Sequence, residues 1–285
     1  MAQAVELNSL AVLILFFNKL EQTKDCIRSF LLSEVNIYVL NNGSSETEFK
    51  KLQSVFYLNK QVHFFDSKKK LGPAGGRNYL IQKTFHSWLF FVDNDITIKP
   101  QTNWLTLIND YSIKHPSAEV ICPRIYNIHE SGYMERLNIE VNHGVMELKE
   151  EANSITNFFP EGGAIVKRTV FERIGFYDEN MFAFEGYEFA LRALLSGKGA
   201  LEVHHINNVE LIHDHRFQKR KIDKEAVNQR YNKEELKRNY EILCGKYNIV
   251  FKHDFEWWSK KQVLTMTMPR WKQLLQKLVT KLLRK

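Results

Sequence analysis

Apolar residues along this chain gather into short unbroken runs separated by segments of helical period. Residues 10–17 (LAVLILFF) form a continuous apolar run ended by Asn18, the pattern of a strand buried on both faces. Residues 22–32 place Cys26, Ile27, Phe30 and Leu31 on one side of a helix. Residues 35–40 (VNIYVL) predict a second strand, stopped by the turn residues 41–45 (NNGSS). A helix is expected over 49–57 and a short third strand over 62–65. Residues 71–78 (LGPAGGRN) predict a glycine-rich loop opening a helix that runs to about Phe85. A fourth buried strand, 88–92 (WLFFV), ends at Asp93, Asn94 and Asp95. This alternation predicts an α/β fold: a mostly parallel, doubly wound sheet with helices on both faces. Ligands in such sheets bind beyond the carboxyl ends of the strands. Asn18, residues 41–45 and residues 93–95 all follow strand ends.

Residues 97–155 are less periodic, with a strand expected at 118–122 and a polar hairpin within 128–148. The pattern sharpens from Asn157. Gly162 and Gly163 precede a short apolar segment, then a helix with Val170, Phe171 and Ile174 inside and a turn at Gly175. Residues 183–195 read as a helix carrying Glu185, Glu188 and Arg192. Residues 209–212 predict a strand leading into His213, Asp214 and His215, followed by a charged helix over 225–243.

Charge divides the chain. It holds 285 residues with 40 Lys and Arg against 33 Asp and Glu, a net +7. After Glu256 there are eight bases and no acid, so residues 1–256 carry 32 bases against 33 acids. The body therefore lacks the clustered cations of a nucleic-acid surface, and no nucleic-acid partner is expected. After Pro269, Trp271, Leu274, Leu275, Leu278, Leu282 and Leu283 recur at helical spacing among Lys and Arg. Residues 268–285 read as a basic amphipathic helix for peripheral contact with an anionic membrane; packing on the domain or in an oligomer is the alternative. No apolar run reaches the roughly 20 residues of a membrane span. The first residues, with Glu6 and no basic stretch, do not read as a signal peptide. Three dispersed cysteines fit a reducing, cytoplasmic setting.

Four clusters carry candidate chemistry. Asp93 and Asp95, at i and i+2 on a strand end, can hold Mg²⁺ or Mn²⁺ through hard oxygen ligands; the plain alternative is a polar cap. His213 and His215 can complete that coordination. Gly75 and Gly76 allow backbone to approach a ligand, with Arg77 facing a phosphate, or allow a helix to pack closely on the sheet. Glu185 and Glu188 share a helix face, where one can serve as a general base and Glu188 can pair with Arg192.

In order along residues 8–216, these segments resemble family 2 glycosyltransferases of the GT-A fold. LAVLILFFN is similar to the family's first strand and IYVLNNGSSE to its second. KKLGPAGGRN resembles its Arg-Asn loop, WLFFVDNDITIKP its DxD strand, EGGAIVKRTVFERIGFYDENMFAFEGYEFALR its acceptor-side block, and VELIHDH its metal-binding histidine. The resemblance implies a GT-A domain over 1–220 with a helical extension over 221–285. It implies divalent-metal-dependent, inverting transfer from a nucleoside-diphosphate sugar, UDP-sugar favoured, to a glycan or lipid-linked hydroxyl. Asn18, Asn41, Asn42, Gly75, Arg77 and Asp93 then belong to the donor pocket, Asp95 and His213 or His215 to the metal, and His213 is the preferred ligand. Bacterial surface-polysaccharide synthesis at the inner face of the cell membrane is the implied setting. One position departs from the family. The acceptor-side helix usually carries its base as the second of two acids, and here Gly186 stands there beside Glu185. Glu185 is the expected substitute, with Glu188 the second candidate. A nucleotide-sugar-binding pseudoenzyme is the alternative that Gly186 motivates. A sugar-nucleotide pyrophosphorylase shares a similar sheet, but would carry a basic glycine-rich signature where this chain has FFNKLEQT.

Overall fold

A computed structural model of the chain describes residues 9–100, 103–214 and 232–256. His215 and the 268–285 segment lie outside the described residues. The first half alternates as its hydrophobic pattern requires: β1 (Leu10–Phe16), α1 (Leu20–Leu31), β2 (Asn36–Asn41), α2 (Glu46–Phe56), β3 (Val62–Asp66), α3 (Gly72–Lys83) and β4 (Trp88–Asp93). Local chemistry sets the boundaries. Ser45 Oγ accepts the Glu48 N–H at the start of α2, one half of a Ser-x-x-Glu capping pattern. Pro73 stands in the first turn of α3, where its missing N–H costs nothing. The glycine-rich segment is thus helical from Gly72 onward, not a loop preceding the helix.

β5 (Ile96–Ile98), α4 (Trp104–Lys114) and β6 (Val120–Asn127) follow, then β7 (Gly132–Tyr133), β8 (Leu137–Asn142), β9 (Val145–Glu150) and β10 (Ile155–Thr156). The second half continues with β11 (Gly163–Lys167), α5 (Arg168–Ile174), α6 (Glu185–Leu195), β12 (Val203–His213), α7 (Lys233–Tyr247) and β13 (Val250–Phe251). α4 is absent from the sequence reading because its buried stripe is narrow and partly polar: Trp104, Ile108 and Ser112. β12 is longer than its apolar stretch, since the polar run at His204, His205, Asn207 and Asn208 is also strand.

The main sheet has the order β10-β12-β6-β11-β4-β1-β2-β3, with β5 also on β12 and β7 on β6. β3, β2, β1 and β4 are mutually parallel, and β6 and β12 are parallel to each other. β11 joins the two groups by running antiparallel to both β4 and β6. This inserted strand requires glycine at its start, because a Cβ on Gly163 would stand 2.5 Å from Ile125 Cδ1. One hydrophobic cluster lies on each side of the sheet: α1, α2 and α4 contribute to one, and α3, α5, α6 and α7 to the other.

The segment carrying α7 closes over α6. Leu236, Leu243, Ile249 and Phe255 enter the second cluster, and β13 pairs with β9 in a small separate sheet. At the centre of this contact Glu188 is fully buried. Its carboxylate accepts from Arg192 Nε at 3.1 Å and Nη2 at 2.8 Å, from Lys246 Nζ at 2.8 Å and from Tyr247 Oη at 2.7 Å. Burial acts to raise its pKa, and these donors overcome burial and lower it. Replacing Glu188 with Gln leaves two cations without their shared anion and is expected to cost about 3 kcal/mol of stability near neutral pH. A carboxyl depressed in the folded state stabilises above its unfolded pKa, about 4.3, and that stability is lost as pH falls through the folded value. The melting temperatures of wild type and Glu188→Gln should therefore differ at pH 7 and converge in acid; equal midpoints at pH 7 would refute the role.

Candidate active site

The sheet brings its polar residues together at the carboxyl ends of β4, β1 and β12. β4 delivers Asp93, and the turn into β5 delivers Asp95. β12 pairs with β5 and β6 so that His213 stands opposite both Ile96 and Asn127. One ligand atom from each of Asp93, Asp95 and His213 lies within 4.8 Å of the others, which suits one divalent cation held by two carboxylates and an imidazole. His213 Nε2 lies 3.4 Å from Asp95 Oδ1. His213 Nδ1 lies 3.0 Å from Asn127 Oδ1, and the Asn127 amide donates to Glu130. An amide oxygen only accepts, so Nδ1 carries the proton and Nε2 faces Asp95. Asn127 is buried and is a positioning residue that sequence reasoning missed; its only signal was its place at a strand end.

Lys19 completes this corner. Asn18 and Lys19 both adopt left-handed backbone, with φ of 57° and 53°, an unusual pair for non-glycine residues. The turn is fixed by Asn18 N–H to Ser44 Oγ at 2.7 Å and by the Asn94 amide to the Asn18 carbonyl at 3.1 Å. It directs Lys19 Nζ onto Asp95 Oδ2 at 2.5 Å. Burial acts to raise the Asp95 pKa, but His213 and Lys19 hold its carboxyl far below the usual range. For His213, burial acts downward and Asp95 reverses it, raising the imidazole above its ordinary value.

Arg77 lies beside this centre on α3 and is buried. Its guanidinium stands 3.7 Å from Asp93 Oδ1 and 3.5 Å from Glu185 Oε1, with the Tyr177 ring 5.9 Å away. Burial opposes its charge, yet Glu161, Asp93 and Glu185 together raise its pKa. Glu161, in the loop entering β11, was not singled out by the sequence reading. Burial pushes its carboxyl up to about 7; Arg77 opposes that shift, and Glu185 and Asp93 add to it. Among the described residues, Glu161 Oε1 and Glu185 Oε2 are buried without a hydrogen-bond partner.

The other expected positions divide by what their side chains do. Asn41 accepts the Ser44 N–H and donates toward Asp66. Asn42 accepts the Leu71 N–H and donates to the Gly72 carbonyl, fixing the start of α3. Both are buried in loop hydrogen bonds that shape the pocket wall. Asn18 is buried, with no side-chain hydrogen bond among the described residues. Gly75 and Gly76 face protein: a Cβ on Gly75 would meet Leu71 at 3.1 Å, and one on Gly76 would meet Leu15 at 2.9 Å. The smallness of Gly76 lets α3 lie close on β1, next to Arg77. Glu185 reaches the centre, while Glu188 is enclosed by Arg192, Lys246 and Tyr247.

Residues 11–175 match the family described as Glycosyl transferase family 2. An uncharacterized protein of Haemophilus influenzae is 23% identical over 173 residues, covering 59% of this chain and 92% of that protein. Among solved structures, GalNAc-T7 with UDP, GalNAc and Mn²⁺ is similar with a TM-score of 0.58 at 13% identity, over 93% of this chain and 52% of that one. TarS 1-349 from S. aureus gives 0.57 at 13% identity, over 93% and 77%. The mannosyltransferase PcManGT from Pyrobaculum calidifontis, with GDP-Man and Mn²⁺, gives 0.55 at 12% identity, over 82% and 63%. The chain thus spans about half of the GalNAc-T7 chain, and these likenesses concern the GT-A fold. With the family match running from the first residues of β1 to the end of α5, and with DxD aspartates, histidine and buried arginine gathered at one end of that fold, the chain belongs to glycosyl transferase family 2.

Proposed function

We propose that this protein transfers a sugar from a nucleoside-diphosphate donor, UDP-sugar favoured, to a hydroxyl of a glycan or lipid-linked acceptor, with inversion at the anomeric carbon. The observation that carries this reading is the Asp93, Asp95 and His213 cluster next to buried Arg77. Such a site offers a place for a diphosphate and for the cation that accompanies it. Neighbours of the same fold hold UDP or GDP-Man with Mn²⁺, which supports the donor class. Mn²⁺ or Mg²⁺ bound by these three residues would supply charge neutralisation for the leaving diphosphate.

The chain's own residues do the rest. Asn18, at the mouth of the β1–α1 turn, contacts the nucleotide, with Asn41, Asn42 and Gly75 shaping the wall behind it. Arg77 faces the diphosphate and orders Asp93. Lys19 keeps the Asp95 carboxylate ionised and in place. The acceptor proton passes to one of the acids beside Arg77, Glu185 on α6 or Glu161 in the loop before β11; the network around Glu188 makes it a structural anion. Gly186 favours one second reading, a protein that binds nucleotide sugar without transferring it; donor consumption with Mn²⁺ separates the two.

The division that goes with this reading is a GT-A domain over 1–220 and a C-terminal extension over 221–285, of which the described part, 232–256, packs on the domain. Among the described residues no helix is long and apolar enough to cross a membrane. The acid-free sequence 268–285 supports peripheral attachment to the inner face of the membrane, where a bacterial polysaccharide acceptor would be met.

Asp95→Ala should abolish Mn²⁺ binding and Mn²⁺-dependent donor turnover in a protein that melts as a folded domain. Asn127→Ala should weaken Mn²⁺ affinity roughly 10–100-fold by freeing the His213 ring, read from free Mn²⁺ by electron paramagnetic resonance. His213→Ala should weaken it more than His215→Ala. Unchanged Mn²⁺ affinity in folded Asp95→Ala would remove the metal site.

Deleting residues 268–285 should release the protein from phosphatidylglycerol-containing vesicles while leaving UDP affinity intact. Equal sedimentation of both forms with vesicles would contradict the membrane role, and insolubility of the shortened form would point to a helix packed on protein.

A further inference from the structure

Gly186 leaves space at the start of α6, and the structure shows what fills it. A Cβ built on Gly186 would stand 2.1 Å from Glu161 Oε1, 2.6 Å from its Cδ and 3.0 Å from its Oε2. The Glu161 carboxyl therefore occupies the volume into which a side chain at position 186 would project. A side chain there would have to displace the Glu161 carboxyl. A second glycine serves the same end. A Cβ on Gly162 would stand 2.2 Å from Asp93 Oδ2, so the loop carrying Glu161 can lie directly against the DxD aspartate. The Asp93 N–H reaches the Gly162 carbonyl at 3.4 Å. Pressed on Asp93 at one glycine and admitted by α6 at the other, Glu161 brings its carboxyl to the junction of the cation cluster, Arg77 and α6.

We propose, building on the glycosyl-transfer reading, that Glu161 is the catalytic base of this protein: an acid supplied by the β10–β11 loop in place of one on α6. Glu185 then acts as the partner of Arg77, to which its Oε1 is committed at 3.5 Å. Glu161 Oε1, like Glu185 Oε2, is buried with no hydrogen-bond partner among the described residues, but Glu185 gives its other oxygen to Arg77 while the Glu161 carboxyl fills the space at Gly186, so Glu161 retains the capacity to accept a proton. In the reaction the acceptor O–H gives its proton to the Glu161 carboxylate as the acceptor oxygen bonds to the anomeric carbon. The bond from that carbon to the phosphate oxygen breaks, and its electron pair leaves with the nucleoside diphosphate.

The test uses the full-length protein with Mn²⁺ and water as acceptor, since water too must be deprotonated. UDP-glucose, UDP-galactose, UDP-N-acetylglucosamine and GDP-mannose are supplied in turn, and nucleoside-diphosphate release is measured. Affinity is measured by calorimetric titration of the corresponding nucleoside diphosphate with Mn²⁺, and folding by thermal melts. Glu161→Gln is expected to lower turnover about 100-fold or more with nucleotide affinity within about twofold of wild type, a loss confined to the transition state. Glu185→Gln is expected to weaken nucleotide affinity by disturbing Arg77. Gly186→Asp combined with Glu161→Ala, which returns an acid to α6 and removes the clash, is expected to exceed Glu161→Ala alone in turnover. Wild-type turnover by folded Glu161→Gln, with Glu185→Gln inactive at unchanged affinity, overturns the assignment and leaves glycosyl transfer standing. Failure of the wild-type protein to consume any of the four donors overturns the glycosyl-transfer reading and this assignment with it.

Discussion

A buried guanidinium has to be surrounded by anions, and the arrangement around Arg77 follows from that requirement. A charge moved out of water costs several kcal/mol unless partners restore what solvation supplied. Arg77 draws those partners from distant parts of the chain: Asp93 from β4, Glu185 from α6 and Glu161 from the loop before β11. One cation thereby joins the parallel half of the sheet to the half in which β6 and β12 lie. A small residue beside it serves the same constraint, since Gly76 lets α3 lie close on Leu15 of β1. The excess of acid over base here suits a divalent cation, whose charge would offset both these carboxylates and an incoming diphosphate.

Much of this could be read from the chain. β1 and β4 are buried on both faces, as their unbroken apolar runs require. Asp93, Asp95, Arg77 and His213 were found because each follows a strand or opens a helix, and parallel strands bring their carboxyl ends to one edge. What escaped notice depends on packing between remote segments. Glu161 carries no local signature: its position depends on two glycines, one adjacent in sequence and one 25 residues away, making room for it. Asn127 acts only through a pairing register with β12. The glycine-rich segment held two readings in sequence, ligand contact and close helix packing. The structure shows close packing, because the space beyond Gly76 is filled by Leu15 and Asn42.

The Glu188 network has a consequence for dissecting the molecule. The family match stops at residue 175, and the domain limit that the resemblance implies invites a cut near residue 220. Yet Lys246 and Tyr247, which satisfy the Glu188 carboxylate, come from the far side of such a cut. A fragment ending there would retain the acid and Arg192 but lose one of its two cations and the Tyr247 hydroxyl, along with the apolar residues of α7 that cover α6. The sequence between 232 and 256 forms a wall of the domain it follows, so a recombinant fragment that ends before it would expose a carboxylate stripped of half its partners in an apolar surface, a recipe for aggregation.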